Sequence, residues 1–563
     1  MEKYNYRKDP HQDIDHVFRD LLPAHGMVER PAQVELSHQM LDTMLNGSIA
    51  LCDAGTGIGK TYAYLVAGVV FRRYRSRAGL PNQPLLISTS SIALQGAIIH
   101  DYLPFLSKVM MADGILDSPL RAVLRKGKSH YVCDARLMKR LQTANLDRKN
   151  PLAKAALLSM RDHLDLDMAP HLSGYDRERI CVPPTCDCGK TECRYLCYLD
   201  VCVSERYAIQ VCNHNLLLAD AIHRGSGKRP ILPDSCAIVM DEAHKLTETA
   251  RQMFGITLEA GELHTLCRKL RREQFLLAAE TLEDTAGLLL SEMAKPWSGD
   301  SSFAHFSIPL DGVERTLSVI HRQIRRMLTA GTRMELERVL DKTKLFCLHQ
   351  PDMVYYTAED ETGGSMLCAS ATDLTAQLRQ TLWQQDRPMI LASGTLAVGS
   401  NFRRFKEETG LLAEGRVREH IAPSPFDYQR NCLLYLPQIP PSQADSDYYD
   451  DLAEQIVKLL DAANGHALGL FTSYAAMSAV RERLKQRDLP YPVLTLGRNG
   501  GHTMSEFMAH PGSVLLAAGA AWEGFDFPGD CVSLLILPRL PFPMPDAVKE
   551  QERMKHATLH DFL

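Results

Sequence analysis

Gly47-Ser48-Ile49-Ala50-Leu51-Cys52-Asp53-Ala54-Gly55-Thr56-Gly57-Ile58-Gly59-Lys60-Thr61 is the stretch on which the fold turns. A short apolar run leads into it, glycines interrupt it, and Tyr62 to Phe71 follows with helix-like spacing. The order is strand, loop, helix. Such a glycine-rich loop lets backbone N–H groups converge on phosphate oxygens at a helix N-terminus. Lys60 adds a point charge at the β and γ phosphates of ATP, and the Thr61 hydroxyl is a ligand for Mg²⁺. Gly55, Thr56, Gly57, Gly59, Lys60 and Thr61 are therefore the expected nucleotide-binding residues, with Ala54 standing where the first glycine is more usual. A purely structural turn is the alternative, and the ordered strand, loop, Lys-Thr and helix count against it.

Working outward, Pro84 to Thr89 is a second buried-strand candidate, and Ala237 to Met240 is a third that runs into Asp241-Glu242-Ala243-His244. Strands alternating with helices predict a parallel α/β sheet. Asp241 would hold Mg²⁺, and Glu242 would orient and deprotonate an attacking water, with His244 completing the catalytic set. An Asp-Glu helix cap is the competing reading of these residues. The cysteine-rich segment from 126 to 212 and the mostly helix-like segment from 246 to 350 interrupt the alternation and read as insertions. Strand character returns at Met389 to Ala392. Ile421 to Pro425 reads as a linker, after which Ala467 to Phe471, Val514 to Ala517 and Val532 to Leu537 supply a second α/β domain.

The chain has 563 residues, several times the usual domain size, which predicts roughly three or four domains. With 45% hydrophobic and 23% charged residues it is neither low-complexity nor disordered. Its longest apolar stretches, such as Val514 to Ala521, are far below the roughly 20 residues that cross a bilayer, and Met1 to Asp20 lacks the apolar core of a signal peptide. These features predict a cytoplasmic protein without a membrane partner. The net charge of −5, from 63 basic against 68 acidic residues, leaves nucleic-acid contacts to local basic patches. Seven of the 15 cysteines (Cys181, Cys186, Cys188, Cys193, Cys197, Cys202, Cys212) fall within 32 residues, which in a reducing cytosol favours metal or iron–sulfur ligation over disulfides.

Taken together, these motifs resemble the DinG/XPD-like group of superfamily 2 DNA helicases. Arg30-Pro31-Ala32-Gln33 resembles that family's adenine-contacting segment, which assigns Arg30 and Gln33 to the nucleotide. Ser88-Thr89-Ser90 through Leu94-Gln95 resembles its first DNA-contacting motif. Lys126-Gly127-Lys128-Ser129-His130-Tyr131-Val132-Cys133 resembles its Lys-Gly-Arg-x-Asn-Tyr-x-Cys segment, and Asn213-His214-Asn215-Leu216-Leu217 its Asn-His-x-Leu-Leu segment. Ser393-Gly394-Thr395-Leu396 resembles the motif coupling hydrolysis to DNA movement, and Ser424-Pro425-Phe426 the entry to the second motor domain. Phe471-Thr472-Ser473-Tyr474 and Trp522-Glu523-Gly524-Phe525-Asp526 resemble its later motifs.

The resemblance implies an α/β fold of two RecA-like P-loop motor domains, with an iron–sulfur domain and a helical arch inserted into the first. The boundaries expected are 1–125, 213–245 and 351–420 for the first motor domain, 126–212 for the iron–sulfur insertion, 246–350 for the arch and 421–563 for the second motor domain. It implies ATP-driven 5′ to 3′ movement on single-stranded DNA, unwinding of forked duplexes, and a role in repair, replication or mobile-element maintenance. DNA contacts are expected from Thr89, Gln95, Lys126, Lys128, Tyr131, Thr395, Thr472 and Ser473, and nucleotide contacts also from Glu523, Gly524 and Asp526. A [4Fe–4S] cluster is expected on Cys133, Cys193 and two of Cys181, Cys186 and Cys188, with Cys197 a further possibility, a Cys₄ zinc site or free thiols being the alternatives. Basic stripes at Arg268, Lys269, Arg271 and Arg272 and at Arg322, Arg325 and Arg326 read either as DNA contacts or as solvated helix faces. The protein is read as a monomer with protein partners unspecified. One departure is the family's closing Gln-x-x-Gly-Arg-x-x-Arg motif, which does not occur before Leu563. Either the chain continues past this residue or hydrolysis is weak, and a DNA-binding remnant or a CRISPR-associated DinG-type accessory helicase stands as the alternative. A P-loop remodeller of protein complexes is disfavoured by the DNA motifs, and a nuclease fusion by the roughly 30 residues ahead of Arg30.

Overall fold

The structure, a computed structural model, describes residues 9–145, 149–183, 193–204, 206–294, 304–348, 350, 353–359, 364–437, 447–496, 501–522, 527, 529–541, 548, 550 and 553–554. The chain forms two compact units, Met1–Pro425 with Asp546–Leu563, and Phe426–Pro545.

In the first unit the strands are β1 (Ile49–Ala54), β2 (Leu85–Thr89), β3 (Ala122–Leu124), β4 (Ile209–Cys212), β5 (Ala237–Asp241), β6 (Ile256–Glu259), β7 (Met353–Glu359), β8 (Ser365–Ala371), β9 (Met389–Ser393) and β10 (Val417–Ala422). Seven of them make one parallel sheet in the order β10-β1-β9-β5-β2-β4-β3. The apolar runs seen in the sequence are continuous because both faces are covered, as parallel sheets require. In β1, Ala50, Cys52 and Ala54 enter one core while Ile49 and Leu51 enter the other, and in β5 Ala237 and Val239 oppose Ile238 and Met240. The helices Pro31–Leu45 and Lys60–Arg77 cover the first face. The helices His214–Gly225 and Leu246–Phe254, with Trp383, cover the second.

Segment 246–350, expected to be mostly helical, carries helices Ala260–Arg272, Leu276–Met293, Ala304–Ile324 and Ala330–Cys347 around a separate core. It also contains β6, which pairs antiparallel with β8, itself paired antiparallel with β7. A short strand at each end of the helical excursion thus returns the chain to the parallel sheet.

The second unit holds β11 (Ala467–Phe471), β12 (Val493–Thr495), β13 (Val514–Ala518) and β14 (Leu534–Ile536), all parallel, in the order β12-β13-β11-β14. Cores form on both of its faces. Among the described residues no helix is long and apolar enough to cross a membrane.

Candidate nucleotide and DNA site

The loop after β1 reaches the helix Lys60–Arg77 through two left-handed glycines, Gly57 (φ 83°) and Gly59 (φ 87°). Only glycine takes these angles without strain. A Cβ at Gly59 would also lie 2.1 Å from Gln33 Nε2. Gln33 Nε2 donates to the Gly59 carbonyl at 2.8 Å, and Arg30 Nη1 donates to the Gly57 carbonyl at 2.6 Å. Both side chains expected at the adenine therefore brace the phosphate loop from behind. Lys60 Nζ donates to the Ala54 carbonyl at 3.1 Å and lies 4.0 Å from Glu242 Oε1. Thr56 and Gly57 are exposed, whereas Gly55 and Thr61 are half-buried.

The sheet order sets β9 between β1 and β5, so the ends of these three strands converge on the loop. Asp241, the last residue of β5, is buried, and Tyr64 OH donates to its Oδ2 at 3.4 Å. Tyr64 is one helical turn beyond Lys60, a spacing that places both on one helix face. Sequence reading passed over this residue, although the i, i+4 step was available to find it. Burial, then the negative charge of Glu242, push the Asp241 carboxyl up to about 6. A buried carboxylate short of positive charge is the donor expected where a divalent cation binds. With the half-buried Thr61 hydroxyl, the residues present fit Mg²⁺.

Glu242 occupies the left-handed region at φ 53°, and its N–H donates to Asp241 Oδ1 at 3.1 Å. Its Oε2 lies 3.3 Å from His244 Nδ1 and accepts from Ser393 Oγ at 3.4 Å, while the same His244 nitrogen is 2.8 Å from Ser393 Oγ. The hydrogen bond from His244, followed by the positive charge of Lys60 acting against burial, holds the Glu242 carboxyl below its usual range. Gly394 follows Ser393 and leaves room for Lys60, whose Nζ would lie 3.9 Å from a Cβ there. The Thr395 N–H donates to Ser393 Oγ at 3.4 Å, and the Thr395 side chain is exposed. Lys60, Asp241, Glu242, His244 and Ser393 thus form one assembly drawn from positions 333 residues apart.

Several side chains expected at DNA take other roles. Thr89 is fully buried, and Gln95 is turned inward to donate to the Thr89 carbonyl at 3.0 Å. Tyr131 is 3% exposed, its hydroxyl 3.3 Å from Tyr198 OH and accepting from the Lys126 N–H at 3.2 Å, so its ring is packed inside the segment. Lys126 Nζ is held by Asp165 and Asp167 at 2.7 Å each, two carboxylates that cancel its pull on a phosphate. Arg125, the neighbour of Lys126, is buried against Gln210 and the Ile231 carbonyl. Lys128 remains exposed, as do Thr472 and Ser473 in the second unit, where Ser473 caps the helix Tyr474–Lys485. In the helical insertion Lys269 and Arg271 pair with Glu335 and Glu283, whereas Arg322, Arg325 and Arg326 are exposed together beside the turn at Met327.

The thiols of the cysteine-rich segment occupy neighbouring backbone positions. Cys133 and Cys193 each immediately precede a helix, Asp134–Thr143 and Arg194–Cys202. The Arg194 side chain pairs with Asp134, and its N–H donates to Asp134 Oδ2 at 3.2 Å, which ties the two helix starts together. Cys133 N–H donates to the Ile180 carbonyl at 2.7 Å, and Val132 bridges Cys181. Among the described residues no three His, Cys, Asp or Glu side chains close on one metal position. Cys186 and Cys188 lie outside the described residues, as do Glu523, Gly524 and Asp526.

A family model described as a helicase C-terminal domain matches residues 456–560. The chain is 26% identical over 574 residues to the ATP-dependent DNA helicase YoaA of Haemophilus influenzae, covering 95% of this chain and 85% of that protein. It is 26% identical over 567 residues to the ATP-dependent helicase DinG of Mycobacterium tuberculosis, covering 93% and 83%. Among solved structures, S. tokodaii Xpd4 aligns with a TM-score of 0.51 and 16% identity, covering 91% of this chain and 83% of that one. An XPD helicase structure aligns at 0.50 with 13% identity, covering 95% and 90%. The structural matches speak to the fold alone.

Proposed function

We propose that the chain is a DinG/XPD-like superfamily 2 helicase that hydrolyses ATP to move 5′ to 3′ along single-stranded DNA and part forked duplexes in the cytosol. The observation that carries this reading is the assembly of Lys60, Asp241, Glu242, His244 and Ser393 at the ends of three adjacent parallel strands. Ligands at open parallel sheets bind outside the carboxyl ends of the strands.

The loop N–H groups and Lys60 bind and orient the terminal phosphates. Asp241 and Thr61 would hold Mg²⁺, which when bound neutralises charge on phosphate oxygens. Glu242, ionised at neutral pH, accepts the proton of the attacking water at its carboxylate, with His244 and Ser393 fixing its orientation. Ser393 begins the segment whose Thr395 is exposed, so one hydrogen bond and two residues of chain separate the hydrolytic carboxylate from a side chain available to DNA. In the first unit exposed Lys128, Arg322, Arg325 and Arg326 supply cationic groups for the strand, and in the second unit Thr472 and Ser473 supply polar ones. Repair, replication support or mobile-element maintenance is the corresponding setting.

The test is ATP hydrolysis with and without single-stranded DNA, followed by strand displacement from duplexes tailed at the 5′ or the 3′ end. Turnover is expected to rise with DNA, and only the 5′-tailed duplex is expected to open. Turnover indifferent to DNA contradicts the helicase reading, and opening of the 3′-tailed duplex contradicts the polarity.

The cysteine arrangement supports a [4Fe–4S] cluster held by Cys133, Cys181, Cys193 and a further thiolate from Cys186 or Cys188. Protein purified anaerobically is expected to carry iron and a broad absorbance near 400 nm, both lost in Cys133→Ser. Bound zinc without iron makes the site a Cys₄ zinc site.

A further inference from the structure

The helical insertion has a face that its own core leaves open. Helices Leu276–Met293 and Ala304–Ile324 commit Leu282, Leu289, Val313 and Leu317 to that core. Core positions recur every three or four residues, so each helix spends one stripe inward. A different stripe of Ala304–Ile324 and the turn after it carries Arg315, Val319, Arg322 and Arg326, at steps of four, three and four, and all four are exposed. Between this stripe and the start of Leu276–Met293 lies a groove of about 580 Å³, with Phe275, Ile320 and Ile324 packed onto the core beneath it. Its rim is apolar and open to solvent, Leu276 being 52% exposed, Leu277 78% and Val319 39%. Adjoining apolar side chains left in water beside a groove mark an interaction surface. Gln323 lines both this groove and a basin of about 430 Å³ formed by His321 to Met327, so the two are continuous.

Charge decides what fits there. Arg315 lines the groove, Arg322, Arg325 and Arg326 line the basin, and among the described residues no carboxylate lines either. None of these four arginines forms an ion pair among the described residues, whereas Lys269 and Arg271 of the same insertion are paired. No side chain caps the start of Leu276–Met293, so its first N–H groups also favour an anion. The fitting ligand is thus anionic and apolar at once. Nucleic acid meets half of that description: its phosphates pair with cations, but its bases stack on aromatic faces, and the groove is aliphatic apart from Phe275. Protein interfaces favour arginine and methionine over lysine and carboxylates, and this lining has four arginines and Met327 with no lysine. We propose that the groove is the docking site of an acidic amphipathic helix of a partner protein, which lays aliphatic side chains between the two helices and its carboxylates on the arginines. From Arg315 to Arg326 the stripe runs about 16 Å, which suits roughly three turns of a docked helix. The proposal goes beyond the helicase reading and gives Arg322, Arg325 and Arg326 a second ligand besides DNA.

The experiment titrates the full chain into a fluorescein-labelled peptide of about four helical turns, made of Glu, Ala and Leu with Leu at i, i+3, i+4 and i+7, and reads fluorescence anisotropy. Two control peptides replace every Glu by Lys or every Leu by Gln. Only the peptide with both Glu and Leu is expected to bind. Leu277→Glu and Arg315→Glu are each expected to weaken it by about tenfold or more, the usual effect of losing an interface anchor. Both positions are exposed, so neither substitution buries a charge, and the melting temperature and DNA-stimulated ATP turnover are expected to stay at wild-type values. Absence of peptide binding overturns the proposal, as does binding that survives both substitutions. Equal binding of the peptide whose Leu are replaced by Gln marks the face as a surface for DNA alone and overturns it too, leaving the helicase reading standing. A wild-type chain that DNA does not stimulate overturns the helicase reading instead, while peptide binding sensitive to Leu277→Glu and Arg315→Glu still upholds the groove.

Discussion

Glu242→Gln is expected to lower DNA-stimulated ATP turnover by about 10²–10⁴-fold, the usual contribution of a positioned general base, while nucleotide binding persists. The substitution keeps the shape of the side chain and an oxygen for the Ser393 hydroxyl, which lies 3.4 Å from Oε2. It removes the negative charge that His244 and Lys60 stabilise. Lys60→Ala differs in kind, because it withdraws the cation that binds phosphate and so weakens nucleotide affinity as well. Single-turnover hydrolysis together with equilibrium nucleotide binding separates the two variants. Turnover by Glu242→Gln within about tenfold of wild type would place the base elsewhere.

Asp176→Ala is expected to destabilise the cysteine-bearing segment by about 3–5 kcal/mol, the cost of breaking a buried ion pair from one side. Asp176 is fully enclosed, with Arg140 Nε at 2.8 Å, Lys149 Nζ at 2.7 Å and Ser173 Oγ at 2.6 Å. Its loss leaves two cations facing each other in a poorly hydrated site. Burial works against the ionised carboxyl, but Lys149, Ser173 and Arg140 outweigh it and hold the group below its ordinary range. The folded value is depressed, so the stabilisation is fully present above about pH 4 and is lost as pH falls through the folded value. Limited proteolysis reads the effect, with cleavage within 126–212 rising about a hundredfold or more. A change below tenfold would show that the two cations find other partners.

How much of this could be read from residues alone follows from burial. β1, β5 and β9 announced themselves because a central parallel strand is apolar on both faces, and β11 was read with both ends correct. β10, Val-Arg-Glu-His-Ile-Ala, lies at the sheet edge, where polar side chains are tolerated and the signal vanishes. β3 is three residues long, and β6 lies within a helical excursion whose periodicity dominates any window. That Lys60, Asp241, Glu242 and His244 belong together was legible because each lies at or just after the end of a single strand. The DNA contacts were less so, since sequence states what a side chain is and not where it points. Lys126 is captured by carboxylates 39 and 41 positions away, and Tyr131 is covered by Tyr195 and Tyr198 from a helix more than 60 positions on. Tyr64 stood beside a recognised motif, but its partner is brought up only by the sheet.

The seating of β9 between β1 and β5 also bears on how the protein is made. Asp53 Oδ2 accepts the Ala397 N–H at 2.6 Å across 344 positions of chain, so the centre of the sheet is closed by one of its last strands to be synthesised. At ribosomal speeds of about 5–20 residues per second, β1 waits roughly 17–70 s for the neighbour that covers its edge. During that interval the nascent sheet has an open slot lined by Ile49, Leu51, Ile238 and Met240, the kind of exposed edge that recruits chaperones or pairs wrongly with another chain. The helical excursion, whose core draws mainly on residues 258–369, can fold within that wait. Substitutions in β9 should therefore weigh more heavily on the yield of soluble protein than equivalent ones in the early strands.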